Sequence, residues 1–265
     1  MGVFDSGVGG LSVVAAIRRL MPALPILYIA DTAYFPYGER SEAEVTARAL
    51  ALGTQLVELG CNLIVVACNT ASSAALEALR GAFDVPIVGM EPPLKPAAEH
   101  TRSGRVLVLA TPSTARGERL QRLHRDHGGD AHIETLPMPG LADLVEAGEI
   151  DGPRVEEALA NALAGPLAAG TDEIALGCTH YGFLRPVLAR LLPPGVEVLD
   201  AAEPVARRVR QQLEAHGLPV TTGATIPVTC LATGDGAAFA ATVERLRAAG
   251  ADLPPIVHMT KMEAR

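Results

Sequence analysis

The sequence predicts an α/β fold made of two similar domains, each with a parallel sheet, and an active site in the cleft between them. Apolar runs of strand length alternate with amphipathic stretches along most of the 265 residues. Continuous Val, Ile and Leu runs of this length are typical of parallel strands that are buried on both faces. A chain of this size is also near the limit at which one core divides into two.

The elements follow each other in a regular order. A first strand that includes Gly2 runs into the loop "DSGVGG", and a helix begins near Leu11. The next strand and helix pairs are "PILYIAD" with "EAEVTARALALGTQLVELG", "NLIVVACN" with "ASSAALEALRGAF", and "RVLVLATP" with "TARGERLQRLH". The clearest breaks are the proline-containing stretches at 90–99 and 191–204.

An internal repeat divides the chain into halves with the same plan. "NLIVVACNTASSAAL" runs from a strand to a cysteine, a polar pair and a helix, and "DEIALGCTHYGFLRPVL" does the same. Each half also has an earlier strand with a polar end, "VFDSGVGGLSV" and "VLVLATPSTARG". Two such domains facing each other would place Cys68 and Cys178 on opposite walls of a cleft.

Composition excludes several classes of protein. The net charge is −8, aromatic residues make up 3%, and no Lys/Arg run occurs, so nucleic-acid binding is disfavoured. The apolar runs are too short to cross a bilayer, and the first residues, "MGVFDSGVGG", carry no secretory signal. We therefore expect a cytoplasmic protein whose four cysteines are reduced thiols.

Cys68 and Cys178 are the candidate catalytic groups. An isolated cysteine is usually a small buried hydrophobic residue. We expect this structural role for Cys61 and Cys230. Cys68 instead precedes Thr70, Ser72 and Ser73, which could cap the next helix; a thiol at the positive end of a helix has a lowered pKa. Cys178 has the same position, with His180 two residues later as a proton partner.

Other chemistries fit the motifs less well. Cys178-x-His180 lacks the paired spacing of a zinc site, and no C-x-x-C is present. "DSGVGGLS" lacks the complete P-loop and dinucleotide patterns, although its N–H groups could approach an anion. Asp5 and Ser6 could cap the helix that follows or act beside Cys68, and both interpretations stay open. Lysines, which hold pyridoxal phosphate, are limited to Lys95 and Lys261.

Two opposed thiols without a metal or cofactor suit racemisation at a carbon acid. One thiolate removes the α-proton from one face while the opposite thiol protonates the other face. "GVFDSGVGGLSV", "YIADTAYFPYGERS", "VVACNTAS" and "LGCTHYGFL" occur in order, and with "CLATGDGAAF" they resemble the signature blocks of bacterial glutamate racemase. That family is cofactor-independent, uses two cysteines and makes D-glutamate for peptidoglycan.

The resemblance implies a role for each matching residue. Cys68 would be the base for D-glutamate, assisted by Asp5, and Cys178 the base for L-glutamate, assisted by His180 and Glu146. The residues implied to hold the substrate are Asp5, Ser6, Pro36, Tyr37, Gly38, Asn69, Thr70, Thr114, Thr179 and His180. No metal and no cofactor are implied.

The resemblance also implies the aspartate/glutamate racemase fold, in which the C-terminal segment returns to the first domain. The domains would be 1–96 plus 205–265, with Asp5 and Cys68, and 97–204, with Cys178 and His180. Glutamate would be the small-molecule partner, and a homodimer is kept open. The alternatives are a related racemase or isomerase for aspartate or maleate, a non-catalytic anion- or protein-binding protein, and a flavodoxin-like FMN binder.

Overall fold

The computed structural model describes residues 1–220 and 223–258 and contains two sheets in which every described strand pair is parallel. The first sheet contains β1 Gly2–Asp5, β2 Leu27–Ala30, β3 Ile64–Val66, β4 Ile87–Val88, β9 Val228–Ala232 and β10 Ile256–His258. The second contains β5 Arg105–Ala110, β6 His132–Pro137, β7 Glu173–Gly177 and β8 Glu197–Leu199.

Helices connect the strands as the sequence pattern predicts. In chain order they are α1 Leu11–Leu20, α2 Glu42–Glu58, α3 Asn69–Ala82, α4 Leu94–His100, α5 Pro112–Arg116, α6 Glu118–His127, α7 Leu141–Glu146, α8 Pro153–Ala168, α9 Arg185–Leu191, α10 Ala202–Ala215 and α11 Gly236–Ala248. The described part of the chain also forms 3₁₀ helices at Tyr37–Glu39 and Thr179–Leu184. Among the described residues, no helix is long and apolar enough to cross a membrane.

The internal repeat is visible in the strand order. The first sheet runs β10-β9-β2-β1-β3-β4 and the second runs β6-β5-β7-β8. The order β2-β1-β3-β4 is therefore repeated as β6-β5-β7-β8, and the predicted α/β class with two parallel sheets is confirmed. In each sheet the second strand of the repeat lies on one side of the first strand, and the third strand lies on the other side. The strand order therefore reverses between the first and third strands, β1 and β3 or β5 and β7, and ligands of open α/β sheets bind at such switch points.

Alternating side chains place apolar residues on both faces of each sheet. Val3 and Val65 face one cluster of buried side chains while Phe4 and Val66 face another. The second sheet alternates in the same way. The cluster that contains Val3 also contains Leu107 and Leu176, so one core extends from the first sheet to the second. The facing ends of the two sheets are thus held together by burial of apolar surface.

Three predicted stretches differ from the structure in detail. "TARGERLQRLH" forms two helices instead of one, because Gly117 between α5 and α6 is extended, with φ −65° and ψ 139°. The breaks at 90–99 and 191–204 contain α4, β8 and the start of α10. The boundaries proposed after residues 96 and 204 fall inside α4 and α10 and stay predictions; residues 259–265 of the first domain, with Lys261, lie outside the described residues.

Asp172 joins the segments that lead into the two central strands of the second sheet, β5 and β7, and supplies a test of stability. Burial opposes its charge, but hydrogen bonds from the Thr101 hydroxyl and from the N–H groups of Arg102 and Ser103, at 2.8 and 2.9 Å, lower its pKa to about 2. A lowered pKa in the folded state contributes stability above the ordinary value near 4 and loses it as the pH falls towards 2.

We expect Asp172→Asn to lower the free energy of unfolding at pH 7 by about 1 kcal/mol, a value reduced for the partial exposure of the carboxylate. Urea unfolding at pH 7, 5 and 3.5 measures it. The difference between the two proteins is expected to be equal at pH 7 and 5 and smaller at pH 3.5. An equal difference at all three values would contradict the assignment. Asp130→Asn, at an exposed position, is the matched control.

Candidate active site

Cys68 and Cys178 occupy equivalent positions in the two sheets. Cys68 follows β3 and is the N-cap residue of α3; Cys178 follows β7 and is the N-cap residue of the 3₁₀ helix Thr179–Leu184. The two residues have almost the same backbone conformation, with φ and ψ of −143° and 123° at Cys68 and −147° and 135° at Cys178. The repeated plan therefore presents two thiols in the same way.

The expected side-chain caps on α3 are wrong. Cys68 makes no side-chain capping bond; Ser72 instead donates to the carbonyl of Val66, and its hydroxyl accepts from the N–H of Met90. Thr70 points across to the second sheet. Ser72 thus anchors the loop that follows β3, and Thr70 faces the cleft.

Asp5 lies at the end of β1, beside β3, and is fully buried. Its carboxylate accepts hydrogen bonds from the N–H groups of Ser6, at 2.7 Å, and Gly10, at 2.5 Å. Thr179, from the other sheet, donates its hydroxyl at 3.1 Å. Burial raises the pKa of Asp5, although His180 and hydrogen bonds with Cys68 and Ser6 counteract this. Asp5 is therefore hydrogen-bonded both to Cys68 and to Thr179, the residue that follows Cys178.

The pKa of Cys68 is raised, contrary to the sequence-based expectation that the start of α3 lowers it. Burial is the main cause, the neighbouring Asp5 carboxylate is the second, and a hydrogen bond from the N–H of Ala71 counteracts them only in part. The thiol of Cys68 is thus held protonated next to a carboxylate that can accept its proton. Burial also raises the pKa of Cys230, to about 12, which fits its predicted structural role.

A chain of hydrogen bonds links Cys178 to Glu146 through His180. The Nδ1 atom of His180 lies 3.6 Å from Sγ of Cys178, and its Nε2 lies 2.7 Å from Oε1 of Glu146. Burial alone would lower the pKa of His180, but the hydrogen bonds to Cys178 and Glu146 outweigh it and raise the pKa well above its ordinary value. A protonated ring donates on both sides and stabilises a thiolate at Cys178.

The glycine-rich loop between β1 and α1 brings these groups together. Val8 donates its N–H to Oε1 of Glu146 at 2.6 Å. A Cβ atom on Gly7 would lie 1.8 Å from the same oxygen, and one on Gly9 would lie 2.3 Å from Nδ1 of His180. The sequence pattern suggested that N–H groups of this loop could bind an anion. In the structure they bind carboxylates of the protein itself, those of Asp5 and Glu146.

Three threonines face each other across the cleft. Oγ1 of Thr70 lies 3.1 Å from Oγ1 of Thr111 and 3.2 Å from Oγ1 of Thr114, and Thr111 donates to Thr114 at 3.0 Å. Thr111 directly follows β5, whose last residue, Ala110, is paired with Gly177 next to Cys178. Hydroxyls from both sheets thus meet beside the thiols.

A charged cluster behind the cleft holds the turn at Pro36, Tyr37 and Gly38. Asp31 is fully buried and accepts hydrogen bonds from Arg48, at 2.6 and 2.8 Å, and from the Tyr37 hydroxyl, at 2.6 Å. Burial, followed by Asp31, raises the pKa of Tyr37. The phenol of Tyr37 is therefore committed to Asp31.

A cavity of about 50 Å³ lies between the two thiols. The predicted residues that line it are Ser6, Pro36, Tyr37, Gly38, Cys68, Asn69, Thr70, Cys178, Thr179 and His180. Both polar atoms of the Asn69 side chain are buried without a hydrogen-bond partner among the described residues. A larger open groove of about 700 Å³ touches Cys178 but not Cys68. Of these two spaces, the small cavity is the one that touches both thiols, so it is the candidate site.

The remaining predicted residues lie one layer behind this cavity. Asp5, Glu146 and Thr114 contact lining residues without lining the cavity themselves. Sequence reasoning missed Thr111, which does line it, and Phe35, whose ring centroid lies 5.8 Å from that of His180. The sequence feature that could have identified Thr111 is its position directly after β5, equivalent to that of Cys178 directly after the neighbouring strand β7. Among the described residues, no group of three or more His, Cys, Asp or Glu could hold a metal ion.

Comparisons with known proteins show the family of the chain. The family model for Asp/Glu/hydantoin racemase matches residues 9–209. Glutamate racemase from Pseudomonas aeruginosa is 44% identical over 228 residues, which cover 86% of this chain and 86% of that protein. Glutamate racemase from Roseiflexus sp. is also 44% identical, over 259 residues that cover 96% of this chain and 92% of that protein.

A solved structure extends the similarity to three dimensions. The crystal structure of Escherichia coli glutamate racemase in complex with L-glutamate and the activator UDP-MurNAc-ala has a TM-score of 0.83 and 35% sequence identity, with 97% of each chain covered. With the family model over most of the sequence and these relatives over almost all of it, the chain belongs to the Asp/Glu/hydantoin racemase family, and within it to the glutamate racemases.

Proposed function

We propose that this protein is an isomerase that interconverts L- and D-glutamate in the cytoplasm, without a cofactor, by a two-base mechanism, and that it supplies D-glutamate for peptidoglycan. The observation that carries the proposal is the pair of thiols, Cys68 and Cys178, which enter one cavity from two sheets with matching backbones. The named relatives, glutamate racemases of several bacteria, support the choice of substrate.

The two thiols act in turn on the same carbon. In one direction the Cys178 thiolate removes the α-proton of L-glutamate, the C–H electron pair stays on the α-carbon, and the Cys68 thiol donates its proton to the opposite face. In the other direction Cys68 removes the proton of D-glutamate and Cys178 donates. Each turnover leaves the two thiols with exchanged protonation states. Before the next turnover in the same direction, Cys178 gives up its proton and Cys68 regains one by exchange with solvent.

Each thiol has its own proton partner in this proposal. Asp5 assists Cys68 by accepting its proton when a thiolate is needed, since the carboxylate is hydrogen-bonded to that thiol. His180 and Glu146 assist Cys178, since the protonated ring stabilises its thiolate. The raised pKa of Cys68 favours a resting state in which this thiol is protonated and acts as the acid, and the raised pKa of His180 favours a charged ring beside Sγ of Cys178.

The side chains proposed to donate to the substrate carboxylates are mainly uncharged. The described residues that line the cavity include no lysine or arginine. Asn69, with its unpartnered amide, and Thr70, with the nearby Thr114, are the side-chain donors; the other proposed contacts are from Ser6, Pro36, Tyr37, Gly38, Thr179, His180 and Asp5. An amino-acid α-proton is far less acidic than a thiol, so donors aimed at the developing charge supply much of the stabilisation.

Binding requires the cavity to open. A volume of about 50 Å³ is roughly that of one or two water molecules, whereas a bound diacid needs several times more. The walls meet through the Thr70, Thr111 and Thr114 hydroxyls and through Thr179 and Asp5. We propose that these contacts part to admit glutamate and close again to exclude water.

The direct test is polarimetry on the purified protein without added cofactor. L-Glutamate and L-aspartate are supplied separately, and the optical rotation is followed to its end point. The proposal predicts that the rotation of glutamate decays to zero, much faster than that of aspartate. Faster racemisation of aspartate would favour the related diacid racemase, and no change with either substrate would favour a non-catalytic binding protein.

A further inference from the structure

The last turn of α7 ends at Glu146 with its carbonyl groups fully engaged. The N–H groups of Ala147, Gly148 and Glu149 bond to the carbonyls of Asp143, Val145 and Leu144. The next two carbonyls, of Glu146 and Ala147, accept instead from side chains of α11, almost a hundred residues away in sequence. Helix ends leave such carbonyls without partners in their own helix, so side chains that satisfy them fix where the helix stops.

Thr242 and Arg245 are the two side chains of α11 that make these bonds. Thr242 is buried and donates to the carbonyl of Glu146 at 2.9 Å; Arg245 donates Nε–H to the carbonyl of Ala147 at 3.0 Å. Arg245 also donates to the Thr242 hydroxyl at 2.7 Å, which orients it. A Cβ atom on Gly148 would lie 2.6 Å from Cβ of Arg245, so the two elements approach closely only because residue 148 is a glycine.

Glu146, whose carbonyl is bonded to α11, is also the residue whose carboxylate completes the chain of hydrogen bonds from Cys178 through His180. The main chain of Glu146 is bonded to Thr242, and its side chain accepts from Val8 and lies 2.7 Å from His180. The carboxylate is therefore fixed from both ends, and a small displacement of its main chain would lengthen the contact with Nε2 of His180.

We propose that Thr242 and Arg245 are positioning residues for the Cys178 half of the reaction, acting through the main chain of Glu146. This inference rests on the proposed racemisation of glutamate. Neither residue lines the cavity between the thiols. Their loss raises the barrier for proton transfer at Cys178 and leaves the barrier at Cys68 unchanged, because Asp5 and Cys68 have no contact with α11 among the bonds described.

The test uses Thr242→Val, which keeps the shape and removes the hydroxyl, with Thr242→Ser as the rescue variant. Thr54→Val is the matched control, since Thr54 donates to the carbonyl of Leu50 on an exposed helix face. We expect Thr242→Val to lower kcat/KM by about 10-fold, a misplacement effect smaller than the loss of a catalytic group. The equilibrium constant between enantiomers is one, so the factor must be the same for L- and D-glutamate.

The isotope effect separates the two halves of the reaction. When proton transfer at Cys178 is slowed, removal of the α-deuteron from L-[2-²H]glutamate becomes fully rate-limiting, and the isotope effect on kcat/KM rises. For D-[2-²H]glutamate, removal by Cys68 becomes reversible before the slow step, and the isotope effect falls towards the equilibrium isotope effect of the transfer from carbon to sulfur. Opposite changes for the two enantiomers, abolished in Thr242→Ser and absent in Thr54→Val, are the expected result.

A second pair of variants covers the case in which a buried valine at 242 prevents folding. Arg245→Ala changes an exposed side chain and is compared with Arg247→Ala on the same helix, where Arg247 pairs with Glu244 at 2.6 Å. Isotope effects that stay as in the unaltered protein, or change equally for both enantiomers, would overturn the positioning role. An unaltered protein that does not racemise glutamate would instead overturn the proposed function itself.

Discussion

Cys68→Ser and Cys178→Ser are each expected to lower kcat/KM for glutamate racemisation by about 10²–10⁴-fold, the usual contribution of a positioned acid or base. A serine hydroxyl is a far weaker acid than a thiol, so the thiolate state that removes the α-proton is lost. Because both thiols act in every turnover, the double variant is expected to lose little more than either single one. Polarimetry with each enantiomer measures these rates.

Cys61→Ser is the matched control for this experiment. Cys61 is a buried free thiol that packs in the core of the first sheet and does not line the cavity. Its hydroxyl variant is expected to lower the thermal midpoint of unfolding while kcat/KM stays unchanged, since the cost is that of a buried polar group. Retention of full activity in Cys68→Ser or Cys178→Ser would remove that thiol from the mechanism.

Gly9→Ala is expected to lower kcat/KM by about 100-fold, the scale of a misplacement near 1 Å in an active site. Its Cβ atom would lie 2.3 Å from Nδ1 of His180 and 2.5 Å from the Thr179 hydroxyl, so the loop or the His180 ring must move. Either movement lengthens the contact of His180 with Cys178. Gly9 does not have a positive φ, so the loss stems from the missing space and not from backbone strain.

Gly165→Ala is the control for the added methyl group. Gly165 lies inside α8, and a Cβ atom there would meet nothing within 4 Å. Alanine in a helix interior is more stable than glycine by about 0.5–1 kcal/mol, but the ring of Pro166 disfavours a Cβ atom on the helical residue before it. This variant is therefore expected to change stability little and to leave activity unchanged. If Gly9→Ala is as active as Gly165→Ala, the close approach between the loop and His180 has no role in catalysis.

Much of the fold follows from patterns within a few residues. Runs such as "RVLVLA" are long and apolar enough to be recognised as parallel strands, and the repeat of strand, cysteine and helix predicts the pairing of Cys68 with Cys178. The α4 helix was missed because prolines at its start are typical of a break. The division at Gly117 was missed because one extended residue leaves the helical pattern of its neighbours intact.

The electrostatics of the site depend on contacts that the sequence does not contain. The start of α3 predicts a lowered pKa for Cys68, but burial beside Asp5 decides the opposite direction. Thr111 and Phe35 were overlooked because their position in the cavity depends on how the two sheets face each other. The bond from Thr242 to Glu146 joins residues whose proximity only the folded chain reveals.

Two thiols that act on opposite faces of one carbon leave a distinct pattern of isotope labelling. Racemisation of unlabelled L-glutamate is started in D₂O and stopped at about a tenth of completion, and the enantiomers are separated for mass spectrometry. We expect one α-deuterium in nearly all D-glutamate and almost none in the remaining L-glutamate, because each thiol carries its own proton. D-Glutamate that retains the original proton, or equal labelling of both enantiomers, would show a single base and contradict the two-base mechanism.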